Sequence, residues 1–207
     1  MTLLVFIRHF IWYFFAKRNK VLVDDYNLEG ETNLLQRPLT SEYPEYYVPY
    51  VNLVPEGDLL AILSEDLKST IELFDGISDE EGHFRYAPTK WSIKEVLGHM
   101  TDTERIMSYR LLRIGRGDQT ALAGFNENDF VEGSQINKQS IKDILGDFIA
   151  TRKATITLIK NMPAEAWGNK GNANNTEVTT LAIGYIIAGH AIHHKKIINE
   201  RYLTSKK

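Results

Sequence analysis

The run Gly189-His190-Ala191-Ile192-His193-His194 places three imidazoles within little more than one helical turn, in a chain of 207 residues that holds six histidines. Neutral imidazole is the commonest protein ligand for a metal ion, so the first chemistry to weigh here is coordination of a divalent cation. At 100° per residue, His194 lies about 40° round from His190 and one turn along, while His193 lies about 60° the other way. Spacing alone leaves the choice between His193 and His194 open. Two histidines four apart often sit on a solvated face. Here, though, Ile183, Ile186 or Ile187, and Ile197 share their side of the helix. Rings pointing into such an apolar interior are costly without a partner, and a metal would supply one. With no cysteine in the chain, thiolate ligands, disulfides and a cysteine nucleophile are all excluded, and nitrogen and oxygen must do the holding.

A third ligand has to come from another helix. His99 is the natural candidate, because it flanks the apolar stripe Val96, Met100, Thr103 and Met107. The competing reading is a core histidine satisfied by hydrogen bonds. Gly98 and Gly189 directly precede His99 and His190; small residues there allow helices to approach closely, as they do in ordinary helix packing. Arg152 falls on an apolar stripe between Phe148 and Thr155, where a charge needs an anionic partner. It reads as a buried ion pair with Asp102 or Glu104, as a side chain that snorkels to water, or as a contact to substrate or to the site's supporting shell. Two other motifs carry nothing. Arg116-Gly117-Asp118 spells an adhesion tripeptide, but a glycine after a basic final turn is an ordinary helix stop. Asn126 to Asp129 lacks the glycine and distal glutamate of a calcium loop.

The elements that must position these residues are helical. Leu60, Leu63, Leu67, Ile71 and Phe74 mark one stripe of a first helix over about 58–74. Ser92 and Glu95 have capping-box spacing at the start of a second, which runs to Arg113 or beyond and stops near Gly115 and Gly117. A third begins at Ser140, with Ile141, Leu145, Phe148, Thr155, Ile159 and Met162 as its stripe and Pro163 limiting its end. A fourth is expected from about Val178 to Tyr202. Residues 118–138 show no sustained period and read as a long loop of the kind that covers active sites. No strand alternation is long enough for a sheet. The expected fold class is therefore all-α, a four-helix bundle over residues 57–207. Residues 31–56, rich in proline and tyrosine, read as an extended lead-in on its surface.

Composition narrows the partners. A length of 207 residues allows one core plus an extension. A net charge of −3 gives none of the basic excess that drives phosphate-backbone binding, so nucleic acid is not expected. Within residues 1–30, Leu3 to Ala16 is almost continuously apolar, with Lys17, Arg18 and Lys20 following. It is short for a bilayer span, which takes about 20 apolar residues, and Arg8 and His9 interrupt it. A secretory signal would carry its positive charge before the apolar run. A peripheral anchor is one reading; the favoured one is an appended segment that packs loosely or stays disordered, with the protein cytoplasmic and no membrane partner.

Four stretches together resemble a known family: Lys90-Trp91-Ser92-Ile93-Lys94-Glu95-Val96-Leu97-Gly98-His99; Thr103-Glu104-Arg105 with Tyr109-Arg110-Leu111-Leu112; Gly124 to Asp129; and Ala188-Gly189-His190 through His194. They resemble the DinB-like superfamily, in the branch similar to YfiT-type metal-dependent hydrolases and bacillithiol transferases, over about 59–203. The resemblance implies a four-helix bundle whose metal is held by one histidine on the second helix and an H-x-x-x-H pair on the last. By motif position these are His99, His190 and His194, which decides for His194 over His193. It implies a divalent metal ion, zinc or nickel, with open positions at which water or a low-molecular-weight thiol is activated against a small substrate. Arg152 could then hold a carboxylate of that thiol or substrate. The apolar first twenty residues have no counterpart in this pattern. The alternative reading is a metal-binding or interaction bundle without turnover, and a weaker one is a membrane-associated stress protein. Such bundles can pair as homodimers.

Overall fold

A computed structural model of the chain describes residues 36–204; the apolar Leu3 to Ala16 run, and with it any anchor or loosely packed extension, lies outside the described residues. Six α-helices and one hairpin follow in order: α1 (Val48–Val51), α2 (Leu59–Asp75), α3 (Ile93–Gly115), α4 (Glu127–Ser134), α5 (Ile141–Lys160), β1 (Lys170–Ala173), β2 (Thr176–Thr179) and α6 (Thr180–Ile197). Each long helix starts where a side chain satisfies its free amides. Asp58 accepts from the Ala61 amide at 2.8 Å, Ser140 from Asp143 at 3.1 Å, and Thr179 from Ala182 at 3.1 Å. The expected box at α3 is present in full: Ser92 Oγ accepts from the Glu95 amide at 3.1 Å, and Glu95 accepts from the Ser92 amide at 2.7 Å. Beyond Ile197 the last helix continues through a wider π-type stretch, Ile198–Leu203.

α2, α3, α5 and α6 form the bundle. α2 and α3 each pack on both α5 and α6, so α2 faces α3, and α5 faces α6, across a diagonal. Two apolar clusters fill the interior. One is built around Leu63, Leu111, Ile114, Ile156 and Ile183, the other around Phe74, Leu97, Met100, Phe148 and Ile198. Between them every helix contributes buried polar groups: Asp66 from α2; His99, Thr103 and Glu104 from α3; Thr151, Arg152 and Thr155 from α5; His190 and His194 from α6. The bundle thus has a polar belt at mid-height, and the candidate chemistry sits in it.

Three expectations are corrected. There is a small antiparallel sheet: β1 and β2 pair from Lys170 opposite Thr179 to Ala173 opposite Thr176. It turns through Asn174 and Asn175, both at positive φ, the backbone that a two-residue hairpin turn requires. Because Val178 belongs to β2, the last helix begins two residues later than its apolar content suggests, at Thr180 behind the Thr179 cap. Residues 118–138 are not all loop either. Asn126 caps α4, accepting from Asn128 at 3.0 Å, and a single 3₁₀ turn, Ile136–Lys138, follows.

The lead-in also differs. It winds through short helical turns rather than running extended, and it buries Tyr43, Val51 and Val54. Arg37 fastens it by donating to the carbonyls of Val51 and Val54, both at 2.6 Å. α1 lies on α6 at a spot where only glycine fits, since a Cβ on Gly189 would stand 2.1 Å from the Tyr50 carbonyl oxygen. The close approach anticipated beside His190 is real, and its partner is the lead-in backbone.

Candidate metal centre

His99 reaches the belt from α3; His190 and His194 reach it from successive turns of α6. The Nε2 atom of His190 lies 3.1 Å from that of His99 and 3.1 Å from that of His194, and one nitrogen from each of the three rings falls within 4.8 Å of the others. Two ligands at about 2.0–2.1 Å from a tetrahedral ion stand roughly 3.3 Å apart, so the observed separations suit a single cation. Hydrogen bonding accounts for them less well. One imidazole nitrogen either donates or accepts, and His190 Nε2 would have to share one proton or one lone pair between both neighbours. All three rings are buried. The donor set therefore fits a divalent metal.

The surroundings keep the rings neutral and oriented. Burial holds His99 down to about 4. Burial, reinforced by the neighbouring imidazoles, puts His190 and His194 well below the ordinary imidazole value. Neutral nitrogen is the form that binds metal. Thr103, one turn after His99, places its hydroxyl 3.4 Å from His99 Nδ1, a partner for that nitrogen while Nε2 faces the cluster. Trp91 packs on His99 with ring centres 4.6 Å apart. On the other side Tyr50 covers His190 at 5.6 Å and meets His193 edge-on at 5.1 Å. His193 is only half-buried; its ring sits between Tyr50 and the outer side of His194, 5.2 Å away, and is not one of the three converging rings. Tyr50 escaped the sequence reading because its segment shows no helical period.

These shifts have a consequence for the metal-free protein. The folded chain keeps its triad unprotonated at a pH where the unfolded chain would protonate it, so unfolding takes up protons. This contribution to stability is complete above about pH 6.5 and declines as the pH falls toward 4, by up to ~1.4 kcal/mol per unit for each histidine. Urea unfolding in chelator should accordingly show at least ~2 kcal/mol less stability at pH 5 than at pH 7.5. Coincident unfolding curves would mean that the rings are solvated.

Arg152 is wholly buried, and its partners are protein carboxylates. Its Nε donates to Glu104 at 2.8 and 2.9 Å and its Nη1 to Asp66 at 2.9 Å, while Lys195 closes the group with its Nζ 2.6 Å from Asp66. Two cations and two anions, one from each bundle helix, balance in charge. Glu104 was anticipated as the partner; Asp102 instead pairs with Arg105 at 3.6 Å. With its charge matched by Glu104 and Asp66, Arg152 reads as a structural residue beside the site rather than an anchor for substrate. The missing partner, Asp66, had left a signal: it interrupts the α2 stripe between Leu63 and Leu67 as Arg152 interrupts that of α5.

Among the described residues, no helix is long and apolar enough to cross a membrane. The bundle matches YfiT from Bacillus subtilis, described as a probable metal-dependent hydrolase with an unusual four-helix bundle topology, at a TM-score of 0.62 and 14% identity, covering 83% of this chain and 94% of that one. It also matches a mycothiol-dependent maleylpyruvate isomerase at a TM-score of 0.56 and 9% identity, covering 66% of this chain but only 58% of the isomerase. At such identities these likenesses speak to fold alone. No curated protein sequence is significantly similar to the chain. The sequence profile of the DinB superfamily, however, matches residues 62–198, a stretch that runs from α2 through the whole His99, His190 and His194 constellation, and the chain belongs to that superfamily.

Proposed function

We propose that this protein is a metal-dependent enzyme in which His99, His190 and His194 hold one divalent ion, zinc or nickel, and that it acts on a small substrate by hydrolysis or by transfer of a low-molecular-weight thiol. The convergence of three buried, neutral Nε2 atoms carries this reading. An ion held by three neutral nitrogens keeps open positions and lowers the pKa of a water or thiol there, supplying a nucleophile near neutral pH. The protein's own part is orientation and exclusion of water. Thr103 gives the His99 ring a hydroxyl partner, and Trp91 and Tyr50 wall the cluster on two sides. A cytoplasmic setting, where small thiols stay reduced, suits the thiol reaction. The descriptions of YfiT as a probable metal-dependent hydrolase and of the isomerase as mycothiol-dependent are in keeping with both branches.

The test begins with metal analysis of the purified protein, followed by assays of thiol conjugation to a generic electrophile and of ester hydrolysis, each before and after chelation. Close to one equivalent of metal and a chelator-sensitive rate in either assay is the expected result. Metal without turnover would leave a binding bundle, and a protein that takes up no metal even when zinc is supplied would end the proposal.

A further inference from the structure

Arg110 is 3% exposed, and among the described residues no carboxylate pairs with it. The other deeply buried cations are matched: Arg152 by Glu104 and Asp66, Lys94 by Asp79 at 3.1 Å. What Arg110 has instead is neutral. Its Nη2 donates to the Ala123 carbonyl at 2.7 Å and its Nη1 to the Met107 sulfur at 3.4 Å. A buried guanidinium served only by a carbonyl, a thioether and the Tyr47 hydroxyl keeps its charge uncompensated, an arrangement that is costly unless an anion visits it.

The position of that charge says where the anion belongs. Arg110 follows His99 by eleven residues on α3, which returns it to within about 20° of the same face, roughly 16 Å along the axis. The contact to Met107 shows the side chain folded back over the preceding turn, toward His99. An arginine side chain reaches about 6 Å, so the remaining gap to the histidines is on the order of 8–10 Å, the length of a chain of five to seven atoms. Aromatic rings link Arg110 to the histidines. Tyr47, whose hydroxyl is raised by burial and pulled down by Arg110, lies 6.3 Å from Tyr50 ring to ring, and Tyr50 lies 5.6 Å from His190. Glu127 borders the same tyrosines; its carboxyl is pushed up by burial, with no cation holding it down.

We infer that Arg110 is the anchor for a carboxylate on the small molecule whose other end reaches His99, His190 and His194. This rests on reading the triad as the reaction centre, and it gives to Arg110 the recognition role that Arg152 is too fully paired to play. A guanidinium binds a carboxylate through two parallel hydrogen bonds, so substrates or thiols bearing a carboxylate some 8–10 Å from the reacting atom are selected over neutral ones.

Calorimetric titration of the full chain, metal-free and zinc-loaded, with 6-mercaptohexanoate, 6-mercaptohexan-1-ol and hexanoate tests this. Wild type should bind both carboxylates at least about ten-fold more tightly than the alcohol in either metal state, and Arg110→Gln should remove that preference while leaving the alcohol's affinity unchanged. Zinc that tightens the thiol acid and not hexanoate puts the sulfur at the triad with the carboxylate at Arg110; zinc that tightens hexanoate equally puts the carboxylate on the metal and overturns the inference. If the triad holds no zinc, the reading of the reaction centre fails while the metal-free carboxylate preference still reports on Arg110. Arg110→Lys keeps the cation without the two-pronged geometry and should retain only part of the preference, which serves if Arg110→Gln does not fold. No carboxylate preference in wild type, or a preference undiminished in the folded variants, overturns the inference.

Discussion

An Arg152→Met variant is expected to lose about 3–5 kcal/mol of folding stability, because it strands buried carboxylates rather than merely deleting a contact. Glu104 would keep no cation. Asp66 would keep only Lys195, which reaches it from the rim of the bundle. For a domain of this size the melting temperature should fall by roughly 10 °C. The diagnostic is the double variant Arg152→Met with Glu104→Met. Removing both charges replaces an ion pair by apolar groups of similar volume, which is often close to neutral, and Asp66 with Lys195 remains balanced. The double variant should thus recover at least half of the loss in chemical denaturation. A single variant within about 1 kcal/mol of wild type would show that the four charges contribute little.

His190→Ala should reduce zinc affinity by a factor of hundreds to thousands, the share of one ligand in a binding free energy on the order of 10 kcal/mol. His190 is the sensible choice because its Nε2 is the atom shared by both 3.1 Å contacts. Stability supplies a second readout. At free zinc about a hundred-fold above its Kd, wild type should gain roughly 2.7 kcal/mol, and the variant at the same zinc concentration should gain almost nothing. Without metal the two proteins should differ far less, since the substitution removes a buried polar ring along with its packing. His193→Ala is the control: its ring faces Tyr50, and it should retain the zinc response. Equal zinc content in wild type and His190→Ala would refute the assignment.

Much of the bundle could be read from the chain because its signals are local. Three-four stripes and the caps at Asp58, Ser92 and Ser140 locate three of the four long helices to within a few residues. The hairpin was missed for a physical reason: four-residue strands such as Lys-Gly-Asn-Ala are too short and too polar to show alternation. Their one strong sign is the Asn174-Asn175 pair, a natural occupant of a positive-φ turn. α4, only eight residues long, likewise shows no period, although Asn126 is a recognisable cap. At the site, the histidines stood out because imidazoles in an apolar context are rare. Asp66 and Tyr50 did not, since one needed its stripe read for charge as well as for hydrophobicity, and the other acts through a segment whose place is fixed by contacts far off in sequence. Gly189 records that contact from the other side.

The seat of Tyr50 on Gly189 bears on how far the chain can be trimmed. The stretch that defines the superfamily begins at residue 62, and an expression fragment cut to that boundary would look complete by its helices while lacking Asp58, the Arg37 clasp and the aromatic roof over His190. Such a fragment would expose its imidazoles to solvent and could misreport both metal selectivity and substrate preference. Two homologues sharing the same four helices could, by the same token, differ in chemistry through nothing more than what precedes them.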